Sequence, residues 1–193
     1  MANNINYEYE KKFLDDYMES LKFFEPFVYK KMYRTGILCK MIGKELNIED
    51  VEYYLAGFYA NISLQPFNNI LEKYQLSEFE KEQIKRHPVL ASEYLKYKGL
   101  LRAAEYVYYH HELPDGSGYY KTDAYPIESA YINISDVFEG LITPKNYRPP
   151  MTLREALDIT LKPYENGLKI PIENLEKIKN ILINFYNQML SIL

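Results

Sequence analysis

Three observations predict an all-α fold, a single helical bundle. Apolar residues recur at spacings of three and four along most of the chain, the period of one face of a helix. Two boxes of the form S/T-x-x-E, Ser77 with Glu80 and Thr152 with Glu155, read as helix starts, because each side chain can satisfy the other residue's unpaired backbone N–H. Strand signals are scarce: no alternating run of β-branched residues bounded by turn chemistry is found.

Taken in order, residues 6 to 23 read as a first helix, stopped around Glu25-Pro26. A second, from about 27 to 46, places Val28, Met32, Cys39, Ile42 and Leu46 on one stripe. A third, 49 to 60, is strongly apolar, with Val51, Leu55 and Phe58 expected in the core. Residues 61 to 68 (NISLQPFN) read as a connector, followed by a short helix near 68 to 74. The Ser77 box opens a helix to Arg86, and Pro88 fits the first turn of the next, where a missing N–H costs nothing. Residues 100 to 111 form another, with Leu100, Ala104, Val107 and His111 on one face. DGSG is a turn, 118 to 126 an irregular loop, and 128 to 141 helical again. TPKNYRPP is a loop held open by Pro144, Pro149 and Pro150. The Thr152 box begins a helix that ends at Lys162-Pro163. The last helix runs from about 172 to the end, with Leu175, Ile178, Ile181, Leu182 and Phe185 inward.

With no internal repeat, low-complexity tract or Gly/Ser linker, the 193 residues read as one domain, 1–193, long enough to bury a substantial core. A net charge of −4 argues against a nucleic-acid partner, which would call for a basic face. A single cysteine, Cys39, excludes an intramolecular disulfide and makes a reducing, cytoplasmic setting the expectation. The N-terminal stretch is too polar for a signal peptide. No apolar run approaches the roughly 20 residues of a membrane helix, so no membrane partner is expected. The oligomeric state is not encoded in any pattern found.

The stretch HHELPDGSGYY, His110 to Tyr120, concentrates the chemistry. It holds two of the three histidines, and the third, His87, opens HPVLASEYL. Adjacent histidines on a helix point about 100° apart, which suits two neighbouring positions on one metal ion, and neutral imidazole is a common ligand for iron, zinc, manganese and nickel. Asp136 falls on the inward stripe Ile132-Asp136-Gly140 of the following helix. A buried carboxylate there needs a partner or a cation. The bland alternatives are a hydrogen-bonded His87 at a helix end and Asp136 as a simple cap.

These segments resemble the HD-GYP family in order and spacing. HPVLASEYL is similar to its HPxxGxxxL segment, HHELPDGSGYY to HHExxDGxGYP, and ISDVFEGLITPKNYRPPMTLREAL to DxxDALTxxRPYRxxxxxxEAL. The resemblance covers roughly residues 28 to 185. It implies a helical bundle of the HD-domain kind and a metal-dependent phosphodiesterase acting on cyclic di-GMP in bacteria, a branch of the HD phosphohydrolase superfamily. By that likeness His87, His110, His111 and Asp136 match metal ligands, and Tyr119, Lys145 and Arg148 match groups that meet the phosphates. The departures cluster. The family's HD pair is expected at Tyr59-Ala60, its lysine at Ser63, its upstream histidine near Met32, and an additional glutamate near Val28. Tyr120 stands for the proline of GYP, Ala91 for the glycine of HPxxG, and Glu139 for the second aspartate.

A first metal's cage and the bridging aspartate are thus expected to be lost beside a surviving three-histidine half. Two-metal hydrolysis holds a hydroxide between ions about 3.5–4 Å apart, so little or no cyclic di-GMP hydrolysis is expected. Two readings follow. One is a degenerate domain that senses a nucleotide, or that engages a diguanylate cyclase or another signalling protein. The other is a residual mononuclear phosphohydrolase with an altered substrate. Either admits one divalent transition metal (iron, zinc, manganese or nickel), and the first also admits none.

Overall fold

A computed structural model of the protein describes residues 18–71 and 73–190. The first-helix expectation over residues 6–17 lies outside the described residues. Residues 18–24 are helical (α1), and the helix breaks at Glu25. Pro26 then starts α2, Pro26–Glu45. After α3, Val51–Tyr59, a 3-10 turn over Ile62–Phe67 runs directly into α4, Asn68–Leu71. Next come α5, Glu78–Ile84, α6, His87–Tyr97, and α7, Leu101–Tyr108. The chain is completed by α8, Ile127–Ile142, α9, Leu153–Leu161, and α10, Ile172–Leu190. The described residues contain no strand, and none of their helices is long and apolar enough to cross a membrane.

The bundle forms around α8. Ten of its sixteen residues are buried, on every side of the helix, the pattern of an element enclosed by others. Helices α2, α7 and α9 pack on it, α3 lies across α2 and α7, α6 packs on α7, and α10 closes over α2 and α9. Phe138, Ile132 and Ile134 of α8, Tyr53 of α3, Leu38 of α2 and Tyr164 are among the fully buried side chains. The stripe of α10 lies inward as its spacing requires: Leu175, Ile178, Ile181, Leu182 and Phe185 are all buried.

Two expectations need correction. Val51 is 71% exposed, and Leu55 and Phe58 only half-buried, while α3 turns Tyr53, Ala56, Gly57 and Tyr59 inward. That helix is apolar on most sides, so hydrophobic periodicity selects no face. Helix α7 stops at Tyr108, not residue 111. His110 and His111 therefore leave the helix in a tightened turn, in which the His110 N–H reaches the Val107 carbonyl and the Glu112 N–H that of Tyr109.

Both capping boxes form. Thr152 Oγ1 accepts from the Glu155 N–H at 3.4 Å, and the Thr152 N–H donates to Glu155 at 3.0 Å. Ser77 and Glu80 pair in the same way at the start of α5. Replacing Thr152 by alanine should cost about 1 kcal/mol, read as a lower urea midpoint with an unchanged denaturant slope.

Candidate metal centre

Three loops and helix ends bring the histidines together. His87 opens α6, its backbone carbonyl held by the Ser63 hydroxyl at 2.7 Å. His110 and His111 come just after α7, with the His110 carbonyl accepting from Asn133 Nδ2 of α8 at 2.8 Å. Their Nε2 atoms converge: His87 lies 3.3 Å from His110 and 3.2 Å from His111. The outer nitrogens of two rings are already committed. His87 Nδ1 donates to the Ile84 carbonyl at 2.8 Å and His110 Nδ1 to the Val107 carbonyl at 2.6 Å. Each backbone acceptor fixes a tautomer with the proton outside and the lone pair on Nε2, the device that orients imidazoles toward a metal. The 3.3 Å contact between the two Nε2 atoms is therefore no hydrogen bond; it sets two lone pairs against each other.

Charge cannot relieve that arrangement, because the rings stay neutral. Burial lowers the His87 pKa first, with the neighbouring His110 second, to about 3. Burial likewise lowers His110 and takes His111 well below the ordinary histidine range, where the other two rings add to the effect. A converging set of neutral nitrogen donors fits a divalent transition metal. His87, His110 and His111 all lie within one ligating group whose donor atoms are within 4.8 Å of one another. Asp136 is at its margin, with Oδ2 3.9 Å from His111 Nε2.

The other carboxylate oxygen of Asp136 is occupied. Lys31 Nζ lies 2.7 Å from Asp136 Oδ1, and Asn61 Nδ2 donates to the same atom at 2.5 Å. Desolvation raises the Asp136 pKa, but Lys31 and then the histidines outweigh it and hold the carboxyl far below the usual range. For Lys31, burial works downward, yet Asp136 and Glu139 keep the ammonium above its ordinary value. Glu139, 1% exposed, has Lys31 Nζ at 3.7 Å on Oε2 and Arg34 Nη1 at 3.7 Å on Oε1. Its Oε1 also accepts from the Thr143 hydroxyl at 2.7 Å. Neither Lys31 nor Asn61 stands out in the sequence. Met32, Val28 and Ala60, where ligands were expected to be missing, are fully buried core residues, and Tyr59 packs against Tyr94 and Phe58. The side chains that reach Asp136 sit one position earlier than Met32 and one later than Ala60. A step of one residue turns a helix by about 100°, enough to exchange core for site.

The loop after the histidines is built on a carboxylate, the acid that follows the histidine pair, to which the sequence alone assigns no role. Glu112, fully buried, accepts from the Tyr120 N–H at 2.8 Å and the Thr122 N–H at 3.0 Å. The first of these bonds requires that residue 120 is not proline. Gly116 takes φ +70°, a left-handed turn that glycine adopts without strain. Gly118 passes so close to the preceding turn that an added Cβ would lie 2.5 Å from Glu112 Cα and 2.6 Å from the His111 carbonyl oxygen. This routing stacks Tyr119 on His111, centroids 4.5 Å apart at 27°. A cavity of about 260 Å3 beside them is lined by His111, Tyr119, Asn133, Val137 and Thr160.

The remaining two candidate residues lie in the α8–α9 loop. Lys145 and Arg148 pair through their backbones, 2.9 and 3.2 Å. The Arg148 guanidinium donates to the carbonyls of Gly140, Leu141 and Pro149, so it closes the end of α8 and is not splayed toward a cleft. Lys145 covers the Phe27 ring at 4.3 Å, and burial, then Lys31, pull its pKa down to about 8. Tyr119, Lys145 and Arg148 are therefore not gathered on one ligand-binding point by direct contact with one another. A larger groove, about 490 Å3, includes Phe27, Lys30, Arg34, Thr143 and Tyr186 but none of the histidines.

A family model described as "HD domain" matches residues 18–166. The chain belongs to the HD domain family. This HD domain is 33% identical over 142 residues to the 3'3'-cGAMP-specific phosphodiesterase 1 of Vibrio cholerae serotype O1, a match covering 69% of this chain and 33% of that protein. It is 32% identical over 98 residues to the cyclic di-GMP phosphodiesterase response regulator RpfG of Xanthomonas campestris pv. campestris, covering 48% of this chain and 26% of RpfG. It thus aligns with about a third or a quarter of the length of these relatives. In fold it is similar to the HD domain of L. monocytogenes phosphodiesterase PgpH, with a TM-score of 0.66 at 16% identity, covering 89% of this chain and 97% of that one. The same PgpH domain solved with cyclic-di-AMP gives 0.67 at 15% identity, over 89% and 95%. The all-α HD bundle is thereby established, and a three-histidine cluster stands within it.

Gly118→Ala tests the loop geometry. The methyl group would meet backbone, which cannot swing aside as a side chain can, so a loss of about 1–3 kcal/mol is expected in thermal or urea unfolding. Gly140→Ala is the control: its nearest neighbour is Lys31 Nζ at 3.7 Å, an ordinary contact.

Proposed function

We propose that this HD domain holds one divalent transition metal on His87, His110 and His111, binds a cyclic dinucleotide beside it, and hydrolyses that ligand poorly or not at all. It serves in this reading as a nucleotide-sensing or protein-interaction module in bacterial signalling, its Tyr119–Tyr120 loop offered to a diguanylate cyclase or another signalling protein. The observation that carries the proposal is the juxtaposition of three neutral, converging imidazoles with a carboxylate, Asp136, already neutralised by Lys31. Two curated relatives bear the names of cyclic dinucleotide phosphodiesterases, which supports the ligand class.

A metal bound there would supply Lewis acidity toward a phosphoryl oxygen. The chain's own residues do the rest. The Ile84 and Val107 carbonyls hold the His87 and His110 tautomers. Tyr119, laid on His111, forms part of the cavity wall. Lys145 provides a cation for a phosphate, held in place by the backbone pairing that Arg148 completes. What the arrangement lacks is a carboxylate in direct contact with Asp136, since Glu139, which shares Lys31 with it, is held by Arg34 and Thr143. Asn61 occupies that place in this reading and cannot neutralise a dication. A second dication on Asp136 would also face the Lys31 ammonium, a repulsion of about 4 kcal/mol per unit charge at 4 Å near a protein surface. Since each 1.4 kcal/mol or so of barrier is tenfold in rate, loss of the two-ion arrangement accounts for weak or absent turnover.

Purified protein should carry about one iron, zinc, manganese or nickel ion per chain by elemental analysis, and His110→Ala should carry none. Calorimetry should show cyclic di-GMP or a related cyclic dinucleotide binding without turnover. Lys145→Ala should weaken that binding several-fold at unchanged metal content. Robust hydrolysis abolished by His110→Ala would instead establish a mononuclear phosphohydrolase, and two or more ions per chain would refute the proposal.

A further inference from the structure

We infer that Lys31 is a built-in substitute for a bound dication, and that removing its ammonium turns Asp136, Glu139 and Asn61 into a site for a hard divalent ion. The inference rests on reading Asp136 as part of the proposed centre, and it concerns the side of that residue facing away from the histidines.

Asp136 and Glu139 stand three residues apart on α8, 6% and 1% exposed. Two carboxylates so enclosed need positive charge nearby, because an uncompensated buried charge is strongly disfavoured. Both cations come from α2 at the same spacing of three. Arg34 faces Glu139 Oε1, where Thr143 completes the contact. Lys31 faces Asp136 Oδ1 and stands at 3.7 Å from Glu139 Oε2. That second distance is too long for a hydrogen bond, and Glu139 Oε2 accepts none although it is buried. Asn61 Oδ1 is likewise buried without a hydrogen bond, and a half-turn of its amide exchanges it with the nitrogen that meets Asp136.

Glu139 Oε2, beside the ammonium, and Asn61 Oδ1, on the amide that meets Asp136, are thus both left without a hydrogen bond, which is rare for buried polar atoms. An ammonium makes at most three bonds, whereas a divalent ion gathers six or more oxygens and draws them inward. The donors are carboxylate and amide oxygens, with no nitrogen or sulfur among them, so the class of ion is hard: manganese, magnesium or calcium. The head of Lys31 is held by Asp136, through its carboxylate and its backbone carbonyl, while 13% side-chain exposure leaves it within reach of solvent.

The test compares the intact wild-type chain with Lys31→Met, Lys31→Arg and Lys31→Met/Asp136→Asn, using Mn2+ alone as probe. In equilibrium dialysis Lys31→Met should bind one Mn2+ per chain more than wild type. In chelator it should melt below wild type and regain most of that difference in millimolar Mn2+. Lys31→Arg, which keeps the charge, and the double variant, which removes the anchoring oxygen, should show no gain. Wild-type stoichiometry in folded Lys31→Met would overturn the inference, as would a gain that persists in the double variant. So would a Lys31→Met chain that stays unfolded in Mn2+ while Lys31→Arg folds. Because the quantity read is the difference from wild type, an empty histidine cluster would sink the proposed function and leave this result standing.

Discussion

The ion pair between Lys31 and Asp136 is the contact on which the rest of the centre depends. It joins α2 to α8 at the middle of the bundle, at 2.7 Å and with little solvent access. An isolated carboxylate could not remain ionised there, and removing one partner of such a pair typically costs about 3–5 kcal/mol. The pair also divides Asp136 into two ends. One oxygen belongs to Lys31 and Asn61, and the other faces His111. Whatever the histidines hold, they share this carboxylate with a permanent cation from the fold.

The histidine side obeys a different logic. Its charges are zero and its geometry is set by backbone: the Ile84 and Val107 carbonyls orient two rings, and the Ser63 and Asn133 side chains hold the carbonyls of His87 and His110. A donor set oriented from outside needs little rearrangement to receive an ion, whereas the Lys31 side would first have to give one up. Two halves of one pocket thus differ in kind, nitrogen donors awaiting charge beside oxygen donors already supplied with it.

The bundle was legible because its long helices carry clean periods and caps. The α10 stripe, both capping boxes and Pro88 at the start of α6 lie where spacing and turn chemistry put them. Legibility failed for α3, apolar on most sides, and for the end of α7, where no glycine or proline marks the stop after Tyr108. At the site, a search for histidine and aspartate finds the three rings and Asp136. It passes over Lys31 and Asn61, because a lysine and an asparagine announce no chemistry alone; only their contact with a buried carboxylate does so. The one signal available was charge: Lys31 and Arg34 share a face of α2 whose neighbours Val28, Met32 and Thr35 are buried. Glu112 was missed for a related reason, since its partners are backbone amides of a loop without regular structure.

Tyr120 shows how a departure from a family pattern can be taken up by its surroundings. Where the likeness calls for proline, this chain has an N–H, and Glu112 receives it. A ring stiffens a turn through its own covalent geometry, independent of anything nearby. Here stiffness has passed to an electrostatic clasp anchored beyond the turn, so the shape of the surface around Tyr119 is inherited from the end of α7. The same carboxylate also holds the Thr122 N–H, so one side chain at position 112 sets the path of the chain on both sides of Lys121.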